Sequence, residues 1–336
     1  MDDIYDNDIY EYIWLDANKK LRSKVRVCTK ELVDSEPWSY DGSSTGQATT
    51  ENSEVLLYPK KVYNNPFRES GYLVLCSTSF YNDSRNLTEE VFDKTKQLKP
   101  MFGFEQEFFV IDAEKYQVIG LNKIKHHKEK QFDYYCGVGA DNVYFRKFMD
   151  DVLNHCIFAG INVNGYNFEV AVGQAEFQVI GIGIDACDQL TLLRYILERT
   201  GEDYNFIIKY DCKLLGEEWN GSGLHTNFST EYMRKHPTDK SYTINLIEKL
   251  GQKHNEAMLV YGENNHLRLT GIHETSSYHK FTYGIGDRSA SVRIPVARNQ
   301  NYDKTVFNAK YFEDRRPASN ADPYLVASFI LMTTLS

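Results

Sequence analysis

Two glutamates stand two residues apart in an otherwise apolar, β-propense run, Met101-Phe102-Gly103-Phe104-Glu105-Gln106-Glu107-Phe108-Phe109-Val110-Ile111. On a strand, residues i and i+2 share a face about 6.5–7 Å apart, so Glu105 and Glu107 point the same way. Such a pair alone is ordinarily a solvated sheet face. Further along, Phe168-Glu169-Val170-Ala171-Val172-Gly173-Gln174-Ala175-Glu176-Phe177 reads as a hairpin, in which a two-residue turn at Val172-Gly173 would set Glu169 across from Glu176. Carboxylates held ~5 Å apart repel by roughly 3 kcal/mol at an effective dielectric of about 20. A divalent cation relieves that repulsion. Mg2+ takes hard oxygen ligands and keeps waters for phosphates to displace, which suits a glutamate-lined site working on a nucleotide. His225 and Glu313, each in an equally odd context, complete the candidate set.

Small residues and arginines supply the rest. Asn220-Gly221-Ser222-Gly223-Leu224-His225-Thr226-Asn227-Phe228-Ser229 lets backbone approach a ligand closely, as phosphate-handling loops require. Arg268, Arg288, Arg293, Arg315 and Arg316 cluster in the C-terminal third among Gly, Ser and Pro. Arginine forks grip carboxylates and phosphates bidentately, so this clustering in an acidic chain points to an anionic substrate.

These residues need elements to hold them. Residues 9 to 33 alternate as strands around an Asp16–Lys20 turn, and Val55–Tyr58 and Tyr72–Ser77 add two more, which makes a small, mainly β N-terminal domain. Between them, Trp38 to Ala48 is rich in Gly and Ser and reads as an exposed loop. A helix is expected over Asn86–Leu98, capped by Asn86 and ended by Pro100, with the domain boundary beside it: 1–96, then 97–336. Helical stripes follow over Asn142–Ala159 (Asp141 as cap, Gly160 as stop), Leu190–Leu197 and Ile244–Met258, all core. Carboxylate-bearing strands lie between them, so the fold class is α+β, an antiparallel or mixed sheet with helices against it. The lysine-rich stretch around His126-His127 reads as a solvated loop, since adjacent histidines share no strand or helix face.

Composition narrows the partners. The chain of 336 residues is formally −9, and no basic run is interleaved with aromatics, so nucleic acid is not the expected ligand. Six scattered cysteines without a C-x-x-C pair, and no secretory leader, read as a reducing, cytoplasmic setting. Tyr324–Leu335 is too short to span a bilayer and is expected to be a buried terminal helix; no membrane role follows.

Seven strings in order carry a further signal: Trp38 to Ala48, Gly103-Phe104-Glu105-Gln106-Glu107, Cys136 to Asp141, Asn220 to Ser229, His273-Glu274-Thr275-Ser276, Arg288 to Pro295 and Tyr311 to Pro317. Together they resemble glutamine synthetase in its eukaryotic-type form. The resemblance implies a β-grasp N-terminal domain, a larger catalytic domain, and ATP-dependent ligation of ammonia to L-glutamate through a γ-glutamyl phosphate. It also implies active sites between subunits of stacked rings, usually decamers. Carried over by position, it puts Glu107, Glu169 and Glu176 on a Mg2+ or Mn2+ ion near glutamate and ammonium, and Glu105, His225 and Glu313 on one at the ATP phosphates. Arg268, Arg288 and Arg315 with Asn220 and Gly221 would bind glutamate, and Asn227, Ser229, Arg288, Arg293 and Tyr311 the nucleotide. Asp41 and Ser44 from the adjacent subunit, with Tyr134 or Tyr135, would form the ammonium site, Asp41 taking the proton; Glu274 would sit on a flap that keeps water from the intermediate. The sequence departs from the family pattern at Met101 and Ala175, where tryptophan is common.

Overall fold

The alternation near the N-terminus becomes a hairpin, β1 (Asp8–Leu15) paired antiparallel with β2 (Leu21–Cys28). Its turn is held by Asp16, whose carboxylate accepts the N–H groups of Asn18 and Lys20 and meets Arg22 at 2.8 Å. The computed structural model describes residues 7–124, 131–298, 305–307 and 309–335, so His126 and His127 lie outside the described residues. The chain divides into two compact units, Met1–Glu90 with Asn154–Ile161, and Val91–Leu153 with Asn162–Ser336.

In the smaller unit a short helix, α1 (Lys30–Ser35), precedes β3 (Trp38–Asp41), β4 (Glu54–Asn64) and β5 (Tyr72–Thr78). The sheet order is β2-β1-β5-β4-β3, with β1 and β5 parallel. Alternate residues of β1, Tyr10, Tyr12 and Trp14, bury one face against Tyr40, Leu57 and Val74. The expected exposed loop is therefore partly wrong: Trp38–Asp41 is an edge strand, because Tyr40 packs on Trp14 with ring centroids 4.5 Å apart. Only the 3-10 turn Gly42–Thr45 and its continuation remain irregular, and Gly42 is buried so tightly that a Cβ there would meet Val55 at 2.3 Å.

Helix α2 (Ser84–Thr95) starts before the expected Asn86, because Asp83 is the cap and its Oδ1 accepts the Asn86 N–H at 3.0 Å. The larger unit is built on β6 (Met101–Asp112). Then come β7 (Gln117–Val118), α3 (Arg146–Ala159), β8 (Val163–Phe168), β9 (Gln174–Ile182), α4 (Ile184–Tyr204), β10 (Phe206–Lys209) and β11 (Leu224–Ser229). The chain ends with α5 (Glu231–Lys235), α6 (Lys240–Gln252), α7 (His254–Met258), β12 (Tyr283–Ile285), β13 (Val292–Ile294), β14 (Val296–Arg298), β15 (Thr305–Phe307), β16 (Phe312–Asp314) and α8 (Pro323–Leu335). Helix α3 begins at Arg146 and not at Asn142, since the Asn142 and Val143 N–H groups close a turn onto the Gly139 carbonyl; Gly160, at φ 87°, ends it. The expected Ile244–Met258 helix is two pieces, broken at Lys253.

The main sheet runs β12-β13-β16-β11-β6-β9-β8, antiparallel except for β12 with β13, while β7 and β10 pair with the far half of β6. Even positions of β6 (Phe102, Phe104, Phe108) are fully buried, with Phe228 tilted against Phe102 and Phe312 against Phe228 across the sheet. Each such phenylalanine contributes about 1.5–3 kcal/mol of burial. Helices α4 and α8 pack together, and α4 covers β6, β9 and β10. That leaves the odd positions, Glu105 and Glu107, on the other face. The α+β arrangement is the one expected, and α8 is the buried terminal helix.

Candidate active site

The hairpin that presents the second carboxylate pair differs in register from the expected one. Asn167, not Glu169, is opposite Glu176, and the Glu169 N–H bonds the Gln174 carbonyl at 3.0 Å. The connection is a four-residue loop, Val170–Gly173, because Ala171 and Val172 are fully buried among Phe109, Val118 and Trp219 and cannot serve as an exposed turn. The slip is by an even number of residues, so Glu169 and Glu176 keep a common face.

Strand pairing then draws a row of ligand atoms across the sheet. Glu107 faces Glu176, His225 faces Glu105, and Glu313 is opposite both Asn227 and Arg293. His225 Nδ1 is 3.5 Å from Glu105 Oε2 and from Glu313 Oε1, and its Nε2 is 3.9 Å from Glu107 Oε1. Two clusters result, Glu105–His225–Glu313 and Glu107–Glu176–His225, each with potential ligand atoms within 4.8 Å of one another. Glu169 lines the same cavity, its oxygens held by Asn167 Nδ2 at 2.8 Å and the Val170 N–H at 3.2 Å.

The electrostatics are unbalanced. Burial, then repulsion from Glu169, pushes Glu107 up to about 8; burial lifts Glu169 to about 7, with Glu105 and Glu274 adding to it. Glu176 is raised well above the ordinary carboxylate range by burial and by Glu105, Glu107 and Glu169. His225 is driven the other way, well below 6.5, by burial and by Arg315, which favours the neutral imidazole, the form that ligates a metal. Hard carboxylate oxygens that resist ionising together, beside a neutral imidazole, are a donor set that fits a divalent cation. Asn227 Oδ1 next to this row is buried and has no hydrogen-bond donor among the described residues, which fits as well.

Arg268, Arg288 and Arg315 line the same cavity, of about 960 Å³. Arg268 is buried, and its Nη2 donates to the carbonyls of Arg315, Arg316 and Pro317 at 2.8–2.9 Å while Nε donates to Asn265. Burial lowers Arg268 to about 10. Its Nη1 lies beside Gly223, and a Cβ on Gly221 would fall 2.4 Å from the Cys212 carbonyl oxygen and 2.7 Å from Arg268 Cγ, so both glycines are needed for the close approach. Arg315 bridges Glu313 at 2.6 Å and donates to the carbonyls of Arg288 and Glu274. Arg293 takes the other Glu313 oxygen at 2.7 Å.

Arg288, Asn220, Gly221, Tyr135 and Glu274 also line this cavity. Tyr135 lines the cavity, whereas Tyr134 belongs to a buried cluster with Phe109 and Trp219. His273 and Glu274 both have positive φ, at 54° and 58°. A second cavity of about 620 Å³ holds Asn227, Ser229 and Tyr311 and shares Glu105 and Gln178 with the first. Asp41 and Ser44 belong to the smaller unit, where Asp41 accepts from Ser43 N, Ser43 Oγ and Ser44 Oγ, which holds its carboxyl below the usual range. Sequence reasoning passed over Asn167, Gln174 and Gln178; their signal was the spacing of two from Glu169 and Glu176 on the same strands.

A carboxylate and imidazole row on an antiparallel sheet, sharing one cavity with arginines, is the layout of a metal-dependent enzyme for anionic small molecules. Comparison with known proteins agrees. The family model for the glutamine synthetase catalytic domain matches residues 82–336. The chain is 45% identical over 341 residues to "Putative glutamine synthetase" of Acanthamoeba polyphaga mimivirus, covering 97% of this chain and 93% of that one. It is 40% identical over 351 residues to glutamine synthetase cytosolic isozyme 2 of Vitis vinifera and isozyme 1-1 of Oryza sativa subsp. japonica, covering 100% of this chain and 96% of each. The chain belongs to the glutamine synthetase family, in its eukaryotic-type form. Among the described residues no helix is long and apolar enough to cross a membrane.

Proposed function

We propose that the protein ligates ammonia to L-glutamate at the expense of ATP, through a γ-glutamyl phosphate, giving glutamine, ADP and phosphate. The observation that carries this reading is the cavity itself, lined both by surplus carboxylates and by Arg268, Arg288 and Arg315. A carboxylate is a poor electrophile, so it must be phosphorylated before an amine can displace it. Glu107, Glu169 and Glu176 would hold one divalent cation, Mg2+ or Mn2+, and Glu105, His225 and Glu313 another; when bound, these ions supply charge for the phosphoryl group in transfer. Arg268 Nη1, Arg288 and Arg315, with Asn220 and Gly221, bind glutamate and orient the acyl phosphate. Asn227, Ser229 and Tyr311, which line the second cavity, serve the nucleotide together with Arg288 and Arg293. Ammonium is no nucleophile until deprotonated, which Asp41 does, reaching with Ser44 into a neighbour's site beside Tyr135. Glu274 closes over the intermediate and excludes water.

This reading includes residues 1–96 and 97–336 as the working domains, a cytoplasmic setting, and ring assembly, a decamer being the expected form. Assembled protein given ATP, Mg2+, glutamate and ammonium should release glutamine and phosphate in equal amounts. Phosphate release that ignores glutamate, or no glutamine at all, would replace this reading with that of a phosphohydrolase or an idle homologue.

A further inference from the structure

Glu105, Glu107, Glu169 and Glu176 share one feature that their charge does not require and that Glu313, paired with Arg293 and Arg315, lacks. Each has one oxygen taken by a side-chain amide: Glu105 by Asn227 at 2.8 Å, Glu107 by Gln174 at 3.1 Å, Glu169 by Asn167 at 2.8 Å, and Glu176 by Gln178. The oxygen left over on Glu105 and on Glu107 is the one nearest His225. An amide N–H is a neutral donor, so it fixes a carboxylate's rotation without cancelling its charge, as an arginine or lysine would.

Two of the amides are also tied to each other. Gln178 Nε2 donates to Asn167 Oδ1 at 2.7 Å as well as to Glu176, and Asn167 then donates to Glu169. The result is one chain of donors, Glu176–Gln178–Asn167–Glu169, that links two carboxylates which would otherwise swing apart under their own repulsion. Gln174 is anchored differently, on the Gly221 carbonyl and Ser222 Oγ at 3.0 Å, and holds Glu107 alone. Strand alternation explains why these amides are here: Asn167, Gln174 and Gln178 lie on the site face at a spacing of two from a glutamate.

We infer that the coupled amides of Gln178 and Asn167 are positioning residues that preset Glu176 and Glu169 for one shared divalent cation. The inference rests on the metal reading given above. Outer partners of this kind typically change metal affinity by roughly 10–100-fold when removed. Mn2+ is the probe, added to assembled, nucleotide-free protein, with free ion counted by its electron paramagnetic resonance signal and bound ion by its spectrum. Gln178→Met, close in size but without the N–H, should weaken Mn2+ binding at one site class by roughly 10–100-fold and broaden the bound-ion spectrum, while the melting temperature without metal stays put or rises. Asn167→Leu should do the same, and the double variant should lose little more than either single one, because both interrupt one chain of donors. Should Gln178→Met fail to fold, Gln178→Leu removes the same donor without adding a charge, and carries the same expectation. Mn2+ affinity within about twofold of the parent in folded single variants, or full additivity in the double, would overturn the inference and leave the metal reading standing. A parent protein that binds no Mn2+ would take down both.

Discussion

Glu313 and Asp314 are neighbours on β16 and face opposite sides of the sheet, and their surroundings could hardly differ more. Asp314 is fully buried and fully matched: Arg316 Nε and Nη2 grip its two oxygens at 2.8 and 2.6 Å, and Tyr261 OH donates at 2.8 Å. Arg316 in turn sits over the rings of Tyr261 and Phe281 and meets His254 Nδ1 at 3.2 Å. One anion, one cation and their hydrogen bonds close the account on that side. On the other side Glu313 has Arg293 and Arg315, yet it opens onto a row in which Glu105, Glu107 and Glu176 share one His225, with Glu169 lining the same cavity. A charge that holds the fold is neutralised on the spot; a charge kept for a ligand is left over.

The largest test of that contrast is a pair of substitutions. Asp314→Ala leaves Arg316 buried and unpaired, and should cost about 3–5 kcal/mol in denaturant unfolding. Glu176→Gln removes a surplus charge, so metal-free stability should hold or rise while glutamine formation falls by at least about 100-fold, the upper end of what outer partners alone cause. Equal destabilisation by the two would erase the distinction.

Asp41 sharpens the comparison, because it is locally matched by serines like a structural carboxylate although a chemical role is proposed for it. Rings mixed from Asp41→Ala and Glu107→Gln subunits, each nearly inactive alone, should regain roughly a quarter of the parental activity if the sites are shared between neighbours. No recovery in verified mixed rings would return Asp41 to the structural class.

The smallest effect is in pH. Folded-state values for Glu107, Glu169 and Glu176 lie above the ordinary carboxylate value, so without metal the native state holds extra protons. That stabilisation is complete below about pH 4.5 and, for Glu169 and Glu107, fades as pH rises through about 7 and about 8. Bound cation requires the ionised form, so its affinity should grow over the same window. Melting temperature should therefore fall from pH 6 to pH 8 in chelator, and the added stabilisation by Mg2+ should grow over that interval; parallel curves would show that these carboxylates are already ionised.

Much of the site was legible because strands convert spacing into direction: Glu105 and Glu107 had to share a face, and that face had to be opposite the phenylalanines. Register was not legible. Whether Val172 turned in solvent or packed on Trp219 depended on a core drawn from segments some fifty residues away in sequence, and that choice set Asn167 across from Glu176. The short strand Trp38–Asp41 was masked by the glycines and serines that follow it, since composition averages over a window that burial does not respect. The partners of Arg268 were invisible for a different reason: they are main-chain carbonyls, which leave no mark in a sequence.

That last arrangement bears on how such a site can be altered. Because one guanidinium nitrogen is the common anchor for the carbonyls of Arg315, Arg316 and Pro317, the side chain and the chain's exit from β16 form a single part. Lysine has neither the fork nor the reach to replace it. Anyone re-engineering this wall for a substrate of different charge would have to transplant Arg268 and residues 315–317 together, with Gly221 and Gly223 as the clearance they require.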